Sequence, residues 1–424
     1  MSGDSTAPTT GGSPLSDEEL IALYKDLHEH PELSFQESRT AGIVEDRLRS
    51  WGYDVTTGWG RTGVVGVLEN GAGPTALLRA DMDALPLEEK TGLDYASTAR
   101  ATDRLGNDVP VMHACGHDVH VACLLGAAAR FAAERHLWAG RLMVAFQPAE
   151  ELGAGAKAMV DDGVFERLGK PDVVLGQHVV PMPAGTLALS SGLALAASDS
   201  LTITMHGKGG HGSRPESTVD PIVMAAATVM RLQTIVSRET GGNETAVVTV
   251  GMISGGTNNN VIPDQAQLRL SVRTYDPNVR ERTLAAIERI AKAEASASNA
   301  PVPAEVEHTD HFPALRNDEA AVIRTREAFK GWLGPARVLD PGSMTGSEDV
   351  GILAEAAGAP CVFWFLGGAD PSPFKDATTI DEALEVLRGL PANHSPFFAP
   401  VPELTLPVGV EALVLALRTW LPAG

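Results

Sequence analysis

Cys115 and His117 lie two positions apart in a stretch, His113 to His120, that reads His-Ala-Cys-Gly-His-Asp-Val-His. A thiolate and an imidazole are the ligands that borderline-soft divalent ions such as zinc prefer. A helical pattern opens directly behind them, and the free amides and dipole of a helix N-terminus would favour an ionised Cys115. Such a stretch cannot close a site alone, and further candidate ligands are Glu151, His178 and His394. Five ligands exceed what one tetrahedral zinc takes with a position left open, but they suit two ions with one ligand shared. Two-metal sites of that kind hold a water whose pKa falls from about 15.7 toward about 7. Glu150, next to Glu151, is the candidate general base that would take the proton of that water and deliver it to a leaving amine. Cys115 could instead be a buried structural thiol, but His113 and His117 on either side favour a ligand. Cys123 and Cys361 sit in apolar patterns and read as core, and His28, His30, His136, His206, His308 and His311 receive no role. His120 falls one helical turn beyond His117, and its role stays open.

The elements that must position these groups can be read from periodicity. Ser16 and Glu19 have capping-box spacing, and Leu20, Leu23, Tyr24 and Leu27 then recur at helical intervals. A second helix is expected over 37–51, and another over 119–134. Apolar runs at 64–68, 76–79, 142–146, 173–175 and 362–365 read as strands. Strands alternating with helices imply an α/β fold with a mostly parallel sheet. Several runs end in polar residues: Asp81 and Asp83 after the second, Glu150 and Glu151 after the third, His178 after the fourth. Open α/β sheets bind ligands just past the carboxyl ends of their strands, so these groups are expected to converge. From 196 to 308 the pattern becomes strand 201–205, helix 220–237, strands 246–253 and 267–274, helix 278–295 and strand 302–307. That order, βαββαβ, is the ferredoxin-like split unit and reads as an insertion. The chain then returns to the first domain with helix 318–332 and a closing helix 409–420. The expected organisation is a short disordered leader, 1–14, a catalytic domain of 15–195 and 309–424, and an inserted domain of 196–308.

Composition narrows the partners. A formal net charge of −21 argues against nucleic acid and against anionic membrane surfaces. Three cysteines cannot build a disulfide framework, which points to a reducing compartment. Residues 1–14 lack the basic and apolar regions of a signal peptide, and no apolar run is long enough to span a membrane, so a cytoplasmic enzyme is expected.

Eight stretches together resemble the dinuclear metallopeptidase superfamily of aminoacylase and glutamate carboxypeptidase, and within it the amidohydrolase branch of hippurate hydrolase and the auxin-conjugate hydrolases. They are 27–35, 78–86, 113–120, 147–151, 207–215, 255–263, 347–349 and 393–396, in the family's order. The resemblance implies that Cys115 bridges two ions, that His117 and His178 complete one and Glu151 and His394 the other, and that Glu150 is the base. This branch has Asp81 where others place a histidine ligand, so Asp81 is expected behind the ligands, and Asp83 to orient one of them. The inserted domain would be a lid and the surface of a homodimer. Its loop 207–212 would bring His211 to the oxyanion of the tetrahedral intermediate, from the partner subunit, and Asn260 and Arg273 would bind the substrate carboxylate. The metals would be zinc or manganese, with cobalt and nickel also compatible.

The implied reaction is metal-dependent hydrolysis of a small N-acyl amino acid into a carboxylic acid and a free amino acid. A dipeptidase or carboxypeptidase on the same scaffold is the nearest alternative. A cysteine hydrolase using Cys115 would stay active in chelator, and a non-catalytic metal-binding module would not need Glu150.

Overall fold

The computed structural model describes residues 13–423, the side chain of Ile380 excepted. The expected leader therefore lies almost wholly outside the described residues. Contacts divide the chain into two compact units. One runs through Ala194 and resumes over Arg316–Gly342 and Asp349–Gly424, and the other comprises Leu195–Leu315 and Ser343–Glu348. The second unit thus ends beyond residue 308 and takes in a short return segment.

An eight-stranded sheet forms the centre of the first unit. Its middle strands, in the order Gly140–Gln147, Thr75–Asp81, Val173–Pro183 and Cys361–Ala369, are all parallel. Antiparallel strands Gly63–Asn70 and Asp54–Trp59 extend it on one side. These middle strands are apolar almost throughout because both faces are covered. Leu78, Val144, Leu175 and Trp364 belong to one large core with the helices, whereas a Cβ on Gly176 would meet Phe363 and Val350. Helix His117–Ala133 is buried nearly all round, as expected of a helix that is apolar on every side. It packs closely on helix Pro402–Arg418. A Cβ on Gly409 would stand 2.5 Å from the Cys123 sulfur, so only glycine permits that approach.

The N-terminal helix, Asp17–Glu29, carries the expected reciprocal capping box between Ser16 and Glu19. Other boundaries shift. The central helix begins at His117 itself, with Gly116 in the left-handed region at its N-cap. The strand expected to stop at residue 175 runs to Pro183, paired in register with Cys361–Ala369. His178 therefore lies inside a strand rather than past its end. The closing helix starts earlier, at Pro402, and continues through Pro407.

The second unit is the βαββαβ arrangement. Four antiparallel strands lie in the order Ala246–Gly255, Gln265–Thr274, Ala197–His206 and Glu305–Phe312. Leu201, Ile203, Leu268, Leu270 and Val272 face helices Pro221–Thr234 and Pro277–Ala297 in a single core. Alternate positions such as Thr202 and Arg269 lie outside it, as in a one-sided antiparallel sheet. Both helices start at an Asp-Pro pair whose aspartate accepts first-turn amides. The last strand begins at Glu305, not 302, because Pro301 and Pro303 offer no ladder donors. The first helix gives way after Thr234 to a π-helical turn, Ile235–Glu239.

Candidate metal centre

Four segments of the first unit deliver the five predicted ligands to one place. Gly116, at φ 84°, turns the chain so that Cys115 and His117 project from the start of the central helix. A Cβ there would lie 2.4 Å from Val179, next to His178. His178 donates its Nδ1–H to the Val179 carbonyl at 2.8 Å, which leaves the Nε2 lone pair facing the Cys115 sulfur at 3.4 Å. Asn393 ties the two together by donating to the Cys115 and Val179 carbonyls, both at 3.0 Å. His394, in the left-handed region at φ 69°, donates its amide to Ala114 and stands 3.4 Å from Glu151.

Glu150 and Glu151 leave the strand Gly140–Gln147 through a tight turn. Ala149 takes the left-handed conformation at φ 47°, and a Cβ on Gly155 would fall 1.5 Å from the Pro148 oxygen. Asp83 accepts the Glu150 amide on one carboxylate oxygen at 3.0 Å and the Glu151 amide on the other at 3.1 Å. The first of those oxygens is also 3.3 Å from Nδ1 of His117. The opposite nitrogen of that ring lies 3.6 Å from Asp81 and 3.9 Å from both Glu150 and Glu151.

Two donor sets share Cys115, one with His117 and His178, the other with Glu151 and His394, each with ligand atoms within 4.8 Å of one another. Both ring nitrogens of His117 and one oxygen of Glu151 are buried without a hydrogen-bond partner. Buried polar atoms left unsatisfied are costly, and a cation is what this set of donors lacks. The residues fit divalent metal. Burial pushes the Cys115 thiol well above its ordinary pKa, and Glu151, Glu150 and Asp81 push it further. That is the reverse of what a cysteine nucleophile needs, whereas cations would reverse it.

Asp81 lies beside His117 and is bonded on both oxygens. One oxygen pairs with His120 and the other accepts from Arg79 at 2.7 Å. The Val179 amide donates to Nε2 of His120 at 2.8 Å, which places the His120 proton on Nδ1, toward Asp81. Burial works against the Asp81 charge, but Arg79, His117 and His120 outweigh it and hold its pKa well below the usual carboxylate range. Arg79 is itself buried and also donates to Gln147 at 2.9 Å and Asp349 at 3.0 Å. Arg79, Asp349, His120 and Asn393 therefore organise the site although periodicity assigned them no place in it. The signal available for Arg79 was a charged residue inside an otherwise apolar strand pattern.

The remaining predicted residues belong to the second unit. His211 lies on the short strand Gly210–His211, paired with Val261–Ile262, and Asn260 accepts the Gly212 amide beside it at 2.8 Å. Arg273 donates to the Ser347 hydroxyl at 2.6 Å. His113 is buried with neither ring nitrogen bonded. Burial pushes its pKa down to about 4.

Comparison with known proteins agrees with this donor chemistry. The model of Peptidase family M20/M25/M40 matches residues 77–393. Hippurate hydrolase of Campylobacter jejuni is 39% identical over 82% of this chain and 88% of its own. N-acetyl-L-cysteine deacetylase of Bacillus subtilis is 37% identical over 86% of this chain and 84% of its own. The crystal structure of a dinuclear metal-binding peptidase of the M20 family from Bacillus subtilis superposes with a TM-score of 0.72 at 30% identity, covering 95% of this chain and 98% of that one. The chain belongs to Peptidase family M20/M25/M40 and is a metal-dependent amide hydrolase.

Proposed function

We propose that the protein hydrolyses N-acyl amino acids, with Cys115 shared by two divalent ions, His117 and His178 on one, Glu151 and His394 on the other. The observation that carries this reading is the membership of Cys115 in both donor sets, with Glu150 within 3.9 Å of His117. The names of the relatives, hippurate hydrolase and N-acetyl-L-cysteine deacetylase, support amides of this type. When bound, the ions supply Lewis acidity, activating water and polarising the scissile carbonyl. Glu150 takes the proton of the attacking water and passes it to the departing amine. Asp83 fixes the backbone from which Glu150 projects, and Asp81 braces His120 behind the ligands. Zinc or manganese suits the mixed sulfur, nitrogen and oxygen donors, and cobalt or nickel would also bind.

In the same reading the second unit is a lid and the surface of a homodimer, in a cytoplasmic enzyme. His211 donates to the developing oxyanion, and Asn260 and Arg273 hold the substrate carboxylate. Among the described residues no helix is long and apolar enough to cross a membrane.

The test is a hydrolysis screen of N-acyl amino acids and dipeptides, with metal analysis of the purified protein. Release of free amino acid from the acyl compounds, lost in chelator and restored by divalent metal, supports the reading. Glu150→Gln should lower turnover by about 10²–10⁴-fold at unchanged metal content. Preference for dipeptides would move the assignment to a dipeptidase, and full activity of Glu150→Gln would remove the base.

A further inference from the structure

The turn that presents Glu150 and Glu151 is gripped from two sides, and only one grip is explained by the aspartate pair at the end of a strand. Three consecutive amides, of Ala149, Glu150 and Glu151, point at carboxylates. Asp83 takes the second and third, and Glu37 takes the first at 2.8 Å. Successive amides around a left-handed residue form a concave anion site, and here two carboxylates of the protein fill it. Glu37 is completely buried. The same Glu37 oxygen accepts the Phe35 amide at 2.9 Å, and its other oxygen accepts the Thr62 hydroxyl at 2.6 Å.

The segment that carries Glu37 is itself bent for this purpose. Phe35 stands at φ 64°, in the left-handed region that a bulky residue rarely adopts. Just before it, Ser34 donates its hydroxyl to Asp83 at 2.7 Å. One strained turn, 34–37, therefore reaches both carboxylate grips on residues 149–151, directly through Glu37 and through Ser34 on Asp83. Strain of this sort persists where the surroundings over-determine it, commonly at functional sites.

We propose that Glu37 is a positioning residue of the hydrolytic reaction: by accepting the Ala149 amide, it holds the left-handed turn that aims Glu150 and Glu151. The inference rests on the proposed roles of Glu150 as base and Glu151 as ligand. Glu37 bonds the backbone of this turn at Ala149, so its effect passes through the backbone. A misplacement of about 1 Å far from the chemistry can cost about 10²-fold in rate, and the Ala149 turn has the leverage for such a shift. The Thr62 hydroxyl bonds the other oxygen of Glu37, not the one that accepts the Ala149 amide, and its loss should matter for stability alone.

The experiment compares Glu37→Ala, Glu37→Asp, Glu37→Gln and Thr62→Val in the full-length protein. Turnover per bound metal, the visible absorption of the cobalt-loaded protein and the melting temperature of the metal-free protein are read for each. Glu37→Asp keeps the carboxyl group but withdraws the acceptor by one methylene, and it guards against a Glu37→Ala protein that does not fold. Expected are a loss of about 10–100-fold in turnover and an altered cobalt spectrum for Glu37→Ala and Glu37→Asp. Glu37→Gln, which keeps an accepting oxygen for Ala149, should stay within about threefold with the wild-type spectrum, and Thr62→Val should lower only the melting temperature. Wild-type turnover and spectrum in Glu37→Asp would overturn the proposal, as would a Thr62→Val loss equal to that of Glu37→Ala. A Glu151→Ala control separates the two levels. If it also leaves the cobalt spectrum unchanged, the ligand reading has failed and the proposal falls with it.

Discussion

Asp83 receives the amide of Glu150 on its carboxylate at 3.0 Å although 67 positions separate the two in the chain. Its oxygens also take the Glu151 amide and the Ser34 hydroxyl, and one lies 3.3 Å from His117. One carboxylate thus links the proposed base, one ligand of each proposed ion and the turn before the second helix. Asp83→Asn would replace an accepting oxygen by a donor that meets an N–H or O–H head on. Metal affinity should weaken by about 10–100-fold, the usual cost of losing a group that orients a ligand. Turnover should fall with it. Competition against a chelator of known affinity measures the first and steady-state kinetics the second; wild-type values for both would show that Asp83 organises nothing.

Metal loading should release protons. Burial opposes a charge on His117, but Asp81, Asp83 and Glu151 outweigh it and lift its pKa to about 10. The Cys115 thiol is pushed up as well. The metal-free protein therefore carries both protons at neutral pH, and ligands must lose them to bind. Calorimetric titration with zinc in buffers of different ionisation heat should report about two protons released per subunit, and affinity that falls as pH falls. Cys115→Ser should lose an ion and reduce the release. Binding heats independent of the buffer would contradict this account of the ligands.

What was legible in the sequence has a physical pattern. The βαββαβ unit announced itself through its order of strands and helices, and the structure starts its helices at Asp220-Pro221 and Asp276-Pro277. Cys115, His117 and Glu151 stood out because polar groups cluster where apolar runs end or helices begin, whereas the role of His394 came from the resemblance and His178, read as following a strand, lies inside one. The supporting charges did not stand out. Arg79 meets Asp349 across 270 positions, and nothing local marks such a pair. Glu37, at the start of a helix, has the look of a solvated first-turn acid, yet it is fully buried against Ala149. The extension of the strand through His178 depends on register with Phe365, which no local pattern contains.

His28 should make stability depend on pH. It lies buried between Asp118, 2.6 Å from Nδ1, and Glu89, 3.1 Å from Nε2. Burial disfavours its charge, but the bonds to the two carboxylates prevail and raise its pKa from 6.5 to about 10. A folded-state pKa above the unfolded one gives stability that is fully present below about pH 6.5 and is lost as pH rises through about 10. Asp118 and Glu89 are lowered, so their share is lost instead on acidification. Removing one partner of a buried pair typically costs about 3–5 kcal/mol, and His28→Ala should lose about that much near pH 6. The difference from wild type should shrink as pH approaches 10. A constant difference in denaturation midpoints from pH 6 to 10 would mean that His28 is neutral.

The lid is the part of the proposal most open to test, and His211 is the residue to test it on. Its Nδ1 accepts the Ser213 amide at 3.1 Å, so the ring proton sits on Nε2 and that edge is a hydrogen-bond donor. The residue is exposed, and a donor held this way suits a developing oxyanion. Glycines on either side let the backbone pass closely. A Cβ on Gly209 would stand 2.8 Å from the Ile262 oxygen, and one on Gly212 would stand 3.2 Å from Asn260. His211→Ala should therefore lower turnover by about 10²–10³-fold, the range for loss of one oxyanion donor, with metal content unchanged. If the homodimer places His211 in the partner's site, His211→Ala and Glu150→Gln chains, each inactive alone, should regain activity when co-assembled. One site of the mixed dimer would then hold both residues intact. Recovery in verified mixed dimers establishes catalysis between subunits. No recovery there, with His211→Ala still impaired, keeps His211 in its own subunit, and a fully active His211→Ala removes the loop from the reaction.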